Sequence, residues 1–128
     1  MSNHPVNLAL RFGLELAALA ALTAWALATV GGVSGVALAV TLPVSAATAW
    51  ATLRTPGDDS HGGRVLIAVP GIVRLGLEAF LFTAATLALL AAGYRSAGIG
   101  LGILVVLHYV LSWDRVLRLV RGYPRAHR

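Results

Sequence analysis

The sequence predicts an all-α fold: a polytopic membrane four-helix bundle built from two parallel-repeat helical hairpins, one domain over residues 1–128. Three observations predict it. The chain is 58% apolar and only 12% charged, with a mean hydropathy of +0.80. A soluble domain carries roughly 45–50% apolar and about 25% charged residues, so too little polar surface remains to cover a globule in water. Four apolar runs each approach the ~20 residues that cross a hydrocarbon core. Finally, the two halves of the chain repeat one another. The first observation excludes an ordinary soluble enzyme, a disordered tail and a free DNA-binding module.

The first span runs from about Val6 to Val30 and ends at Gly31-Gly32. The second, Val33 to Leu53, stops before Thr55-Pro56-Gly57. The third covers about Pro70 to Ala92, with Pro70 suited to a first helical turn and Gly93 to the C′ position. The fourth runs from about Ala97 to Leu119, before Gly122-Tyr123-Pro124, and leaves 120–128 as a basic tail. These runs are continuous and alanine-rich, without the alternation of a membrane barrel. Ala26-Leu27-Ala28 has the small-x-small form of a signal-peptide cleavage site, but no arginine or lysine precedes Arg11, and Arg11 and Glu15 interrupt the apolar stretch. The first span therefore reads as a retained helix. Pro43, in the middle of the second span, removes a backbone donor and predicts a kink with a freed carbonyl near Ala39. That carbonyl is either absorbed by packing or exposed at a hinge or cavity.

All ten basic residues are arginine and there is no cysteine, so disulfides, thiolate metal sites and cysteine nucleophiles are excluded. A chain rich in Ala, Gly, Val and Arg without lysine is what a GC-rich bacterial genome encodes. The net charge of +5 lies beside apolar spans, which points to the lipid bilayer and anionic lipids as partners and not to nucleic acid. Arg54 and Arg64 lie between the second and third spans, and Arg115, Arg118, Arg121, Arg125 and Arg128 follow the fourth; the opposite turns carry Arg95 alone. Retention of arginine on the cytoplasmic side then places both termini inside, in the bacterial inner membrane. The five C-terminal arginines are expected to contact lipid headgroups.

A shift of 63 lays Leu8–Leu53 on Gly71–Val116 without a gap. Arg11-Phe12-Gly13-Leu14-Glu15 then meets Arg74-Leu75-Gly76-Leu77-Glu78, Thr23 meets Thr86, Gly35 meets Gly98 and Trp50 meets Trp113. Alanine and leucine match by chance, so the rare residues carry the case: both glutamates of the chain and two of its three tryptophans coincide. Two spans per unit insert in one orientation, giving a pseudo-two-fold axis along the membrane normal.

Arg11 and Glu15 share a helix face at a spacing of four, as do Arg74 and Glu78. A charge in mid-membrane costs about 2.5–3.5 kcal/mol on insertion scales, so each glutamate should face the interior with its arginine, and symmetry could join the pairs into a neutral cluster of two arginines and two glutamates. The cluster reads either as a clamp that fixes helix register or as a proton-accepting or anion-binding site. His108, Tyr109 and Ser112 complete the candidate polar cluster; His108, Ser112 and Arg115 share a face. His108 reads as an interhelical hydrogen bond or as a relay. Gly31-x-x-x-Gly35 and Gly98-x-x-x-Gly102 permit close helix approach, within the bundle or in a homodimer. Trp25, Trp50, Trp113, Tyr94 and Tyr123 lie near span ends, as an interfacial belt would. Asp58-Asp59-Ser60-His61 is read as a solvated loop, so no metal and no cofactor is assigned.

The segment Asn7–Leu19, Leu42-Pro43 with Trp50, Arg74 to Glu78, and His108-Tyr109 together resemble the YrdB family of small bacterial membrane proteins. The resemblance covers nearly the whole chain except the tail. It implies a four-helix membrane fold and no activity. The residues read as a non-enzymatic membrane component that packs with itself or with another membrane protein. The alternative is a small proton- or anion-coupled transporter or channel that uses the buried Arg/Glu pairs.

Overall fold

The computed structural model describes residues 4–55 and 67–122. They form five α-helices: α1 (Pro5–Trp25), α2 (Gly32–Thr52), α3 (Gly71–Ala91), α4 (Arg95–Leu111) and α5 (Trp113–Arg121). A single π-turn, Ala26–Val30, continues α1, and a two-residue parallel pairing of Leu53–Arg54 with Ile67–Ala68 ties the end of α2 to the start of α3. Pro5–Val30, Gly32–Thr52 and Gly71–Ala91 are long and apolar enough to cross a bilayer; α4 and α5 make a fourth such segment if the bent pair is one span.

Local chemistry sets the helix ends. At the start of α1, His4 Nδ1 accepts from the Val6 amide at 3.2 Å, and Pro5 occupies the first turn, where its missing N–H costs nothing. At the end of α3, Gly93 takes φ +91°. Its amide donates to the Leu90 carbonyl at 3.2 Å and the Tyr94 amide to the Leu89 carbonyl at 2.9 Å, which closes the helix in a Schellman motif. Pro70 is the N-cap of α3, one position outside the first turn expected for it.

Pro43 leaves α2 continuous. The carbonyl that it deprives of a helical donor, that of Ala39, accepts from Thr23 Oγ1 of α1 at 2.9 Å. The carbonyl is therefore absorbed by interhelical packing.

The fourth apolar run, 97–119, is not one straight helix. It breaks at Ser112, and α5 turns away from α4 by 71°. The reason is chemical: α4 is almost wholly apolar, whereas α5 interleaves Asp114, Arg115, Arg118 and Arg121 with Val116, Leu119 and Val120. An amphipathic helix with one buried face, here Arg115 and Leu119, folds back across the end of the molecule. It seats on the first residue of α3. A side chain on Gly71 would run into the Leu119 backbone carbonyl, so glycine is required there.

α1 and α3 pack against each other, α2 lies against α1, and α4 lies against α3 and α1. The core joins Leu14, Ala18 and Ala21 of α1, Ala46 and Trp50 of α2, Leu81, Phe82 and Ala85 of α3 and Leu101 of α4. Small residues let the backbones approach; Gly98, for instance, sits on Leu90 and Gly35 on the Ala26 carbonyl. The outward faces carry Val33, Val36, Val40, Val44, Phe80, Leu87, Ile103 and Val106 in the open, while Arg11, Arg74, Glu78 and Arg115 are buried. Water-soluble proteins show the opposite distribution.

Candidate functional site

The N-terminal halves of α1 and α3 meet α5 and the C-terminal ends of α2 and α4 around one carboxylate, that of Glu78. Arg74, one turn earlier on α3, donates from Nε to Glu78 Oε2 at 2.8 Å. Arg115 of α5 holds both oxygens, with Nη2 at 2.6 Å from Oε2 and Nη1 at 3.0 Å from Oε1. Arg11 Nη2 reaches Oε2 from α1 at 3.3 Å, and the Tyr109 hydroxyl donates to Oε1 from α4 at 3.1 Å. Glu78 is 1% exposed and Arg74 0%. The fifth element is also tied in, because Arg74 Nη1 donates to the carbonyls of Trp50 and Leu53, each at 2.7 Å. Below the charges, Phe82 stands edge-on to Trp50 at 5.2 Å and to Tyr109 at 6.1 Å, an aromatic floor.

This arrangement differs from two symmetric pairs. Glu15 lies on the flank of the cluster, its Oε1 3.5 Å from Arg11 Nε, and its side chain is 13% exposed. Among the described residues the cluster joins three arginines to two glutamates, where two of each were expected. The third arginine is Arg115, which the sequence assigned to lipid headgroups; it is 3% exposed and faces inward. The break at Ser112 redirects α5 so that Arg115 points back at Glu78. Of the other basic residues expected at headgroups, Arg118 is partly exposed and pairs with Asp114 at 3.1 Å, and Arg121 is exposed. Arg125 and Arg128 lie outside the described residues, as do Asp58, Asp59, Ser60, His61 and Tyr123.

A second polar set joins α1 to the α4–α5 break. Asn7 Nδ2 donates to Ser112 Oγ at 2.6 Å, which turns the Asn7 oxygen toward His108 Nδ1 at 3.2 Å. An amide oxygen only accepts, so His108 is the Nδ1–H tautomer here, with Nε2 buried and unpartnered. His108 is thus a bridge between helices. Asn7 was not singled out from the sequence for this role; its place one turn before Arg11, on the same buried face, is the signal that could have found it. Trp50 leaves the expected interfacial belt for the core, whereas Trp113 is 60% exposed, because α5 diverges where α2 does not. Among the described residues no group of three metal-ligating side chains is present.

Fold and site together define a class: a small all-helical chain with three or four bilayer-length apolar helices and an arginine-rich cluster buried at one end around a single glutamate. Within that class the comparisons are specific. Residues 9–106 match the family model described as Protein of unknown function (DUF2568), and the chain belongs to that family. It is 36% identical over 113 residues to the uncharacterized protein YrdB of Bacillus subtilis (strain 168), an alignment that covers 88% of this chain and 92% of that one. No solved structure matches the chain. The family match includes Arg11, Glu15, Arg74 and Glu78 but stops before His108, Ser112 and Arg115.

Proposed function

We propose that the chain is a non-enzymatic structural component of the bacterial inner membrane, a four-helix bundle with both termini in the cytoplasm that packs with itself or another membrane protein. Glu78 carries this reading. Its two oxygens accept from three arginines and a tyrosine on four different helices, and a carboxylate so fully engaged serves as a clamp. Duplication of one hairpin supplies the plan. In that plan Thr23 and Thr86, 63 residues apart, stand at equivalent places. Their partners differ for a reason, since Thr86 bonds its own helix at the Phe82 carbonyl while Thr23 serves the carbonyl orphaned by Pro43, which has no proline counterpart in the second half. Arg118 and Arg121 on α5, with the exposed Trp113 and Val120, supply the surface for anionic lipids.

A second reading, a small proton- or anion-coupled transporter or channel, draws on one observation: a cavity of about 180 Å³ reaches Glu15. Flux in proteoliposomes with and without a pH gradient separates the two. The structural reading expects no protein-dependent flux from the wild type. Flux that is lost when Arg11→Met and Glu15→Gln are combined in a folded protein would replace it with the transporter.

A further inference from the structure

The break at Ser112 leaves a groove where α3, α4 and α5 meet. Leu75 and Ala79 of α3, Val106 and Val110 of α4, and Trp113 and Val116 of α5 line it around a volume of about 350 Å³. The Tyr109 ring shares the lining, but its hydroxyl is committed to Glu78 Oε1 at 3.1 Å. The walls are almost wholly apolar, and Val106, Val110 and Trp113 are exposed along them. Such a lining takes hydrocarbon. At ~30 Å³ for a water-sized group, which is close to the size of a methylene, the groove holds about twelve carbons. That is most of one acyl chain and not two.

The other faces of α5 say what the chain is attached to. At about 100° per residue its side chains fall on three sides. Arg115 and Leu119 are buried against the bundle. Trp113, Val116, Leu117 and Val120 make an apolar side, which continues the groove wall. Asp114, Arg118 and Arg121 make a charged edge, where Arg118 pairs with Asp114 at 3.1 Å and Arg121, the last residue of the helix, is exposed. Given the membrane reading above, on which this inference rests, α4 crosses the bilayer and a helix turned from it by 71° lies close to the bilayer surface. Its apolar side then meets hydrocarbon and its charged edge lies among headgroups. Arg121 is five residues beyond Val116, about 7.5 Å along the helix axis, so a chain seated beside Val116 brings its headgroup toward that cation.

We propose that this groove is an acyl-chain site for an anionic phospholipid: one chain lies against Ala79, Val106 and Val110 beside Trp113, and Arg121 meets the acidic headgroup. A choline headgroup brings a cation of its own to Arg121; a glycerol headgroup does not.

Native mass spectrometry of the full chain in detergent, titrated with glycerol and choline phospholipids of identical chains, tests the site. The glycerol lipid should bind about tenfold more tightly than the choline lipid. Ala79→Phe fills the groove and should weaken both lipids by about tenfold, whereas Ala17→Phe, an exposed position of α1 outside the groove, should leave both unchanged. Arg121→Gln should abolish the preference for glycerol while both lipids still bind. Circular dichroism confirms that each variant is folded; should Ala79→Phe fail to fold, Val110→Phe replaces it. Wild-type binding of both lipids by the groove-filled variant, an equal loss in Ala17→Phe, or a preference that survives Arg121→Gln overturns the site. Carbonate extraction of the wild-type chain from membranes tests the underlying reading separately: a chain stripped by carbonate refutes the membrane reading, and a retained chain whose lipid binding ignores Ala79→Phe refutes this inference alone.

Discussion

Arg115 Nη2 stands 2.6 Å from Glu78 Oε2, with both side chains buried, so the short terminal helix is bound to the body of the molecule through the hub that also joins α1, α3 and α4. Removing this arginine should release α5 without dissolving the cluster, because Arg11 and Arg74 still hold Glu78. Arg115→Met should therefore cost about 1.5–3 kcal/mol, the range for hydrogen bonds to charged groups. Hydrogen exchange should show faster exchange across Trp113–Arg121 than in α1 or α3. Unchanged protection of α5 would contradict the contact.

Gly71 is the second attachment of α5. Gly71→Ala should displace α5 and lower the melting temperature, because the added carbon meets the Leu119 carbonyl. Gly76→Ala is the control on the same helix: nothing lies within 4 Å of the site, and alanine gains about 0.8–1 kcal/mol of helix propensity. The two substitutions should move thermal stability in opposite directions.

Thr23 and Pro43 are coupled through the Ala39 carbonyl, although they never touch. Thr23→Val should cost about 1–3 kcal/mol by leaving that carbonyl unpaired. With Pro43→Ala in place, the residue at 43 regains an amide hydrogen and can donate to Ala39, so Thr23→Val should then cost much less. A double-mutant cycle measured by thermal unfolding reads the difference directly, and additive costs would exclude the link.

The proposed orientation rests on seven arginines against one. Single cysteines introduced at Ser60 and Ser96 should be labelled from opposite sides of the membrane. Labelling of Ser60 by an impermeant reagent applied to intact cells would reverse the topology.

Much of the fold was legible because two rules act locally. Continuous apolar runs mark helices, and a spacing of four put Arg11 with Glu15 and Arg74 with Glu78 on shared faces. Gly93 was legible for the same kind of reason, since a positive φ after a helix favours glycine. The rest depended on where helices cross. Hydropathy averages over Ser112, so the break between α4 and α5 was hidden, although the spacing of Asp114, Arg115 and Arg118 already describes an amphipathic helix. That break decides whether Arg115 meets lipid or Glu78 and whether Trp113 is covered like Trp50. No local pattern announces it. The demotion of Glu15 to the flank is of the same kind: Glu15 and Glu78 each stand four residues after an arginine, yet they acquire different neighbours because Arg115 of α5 turns toward Glu78.

Glu78 is the counter-charge on which three arginines from three helices converge. Thermal unfolding of Glu78→Gln in detergent, beside Glu15→Gln, tests it most directly. Removing one member of a buried ionic group typically costs about 3–5 kcal/mol. Glu78→Gln should reach that range, because three arginines lose their shared acceptor, and Glu15→Gln, on the flank of the cluster, should fall clearly short of it. A Glu78→Gln protein as stable as the wild type, or no less stable than Glu15→Gln, would contradict the clamp.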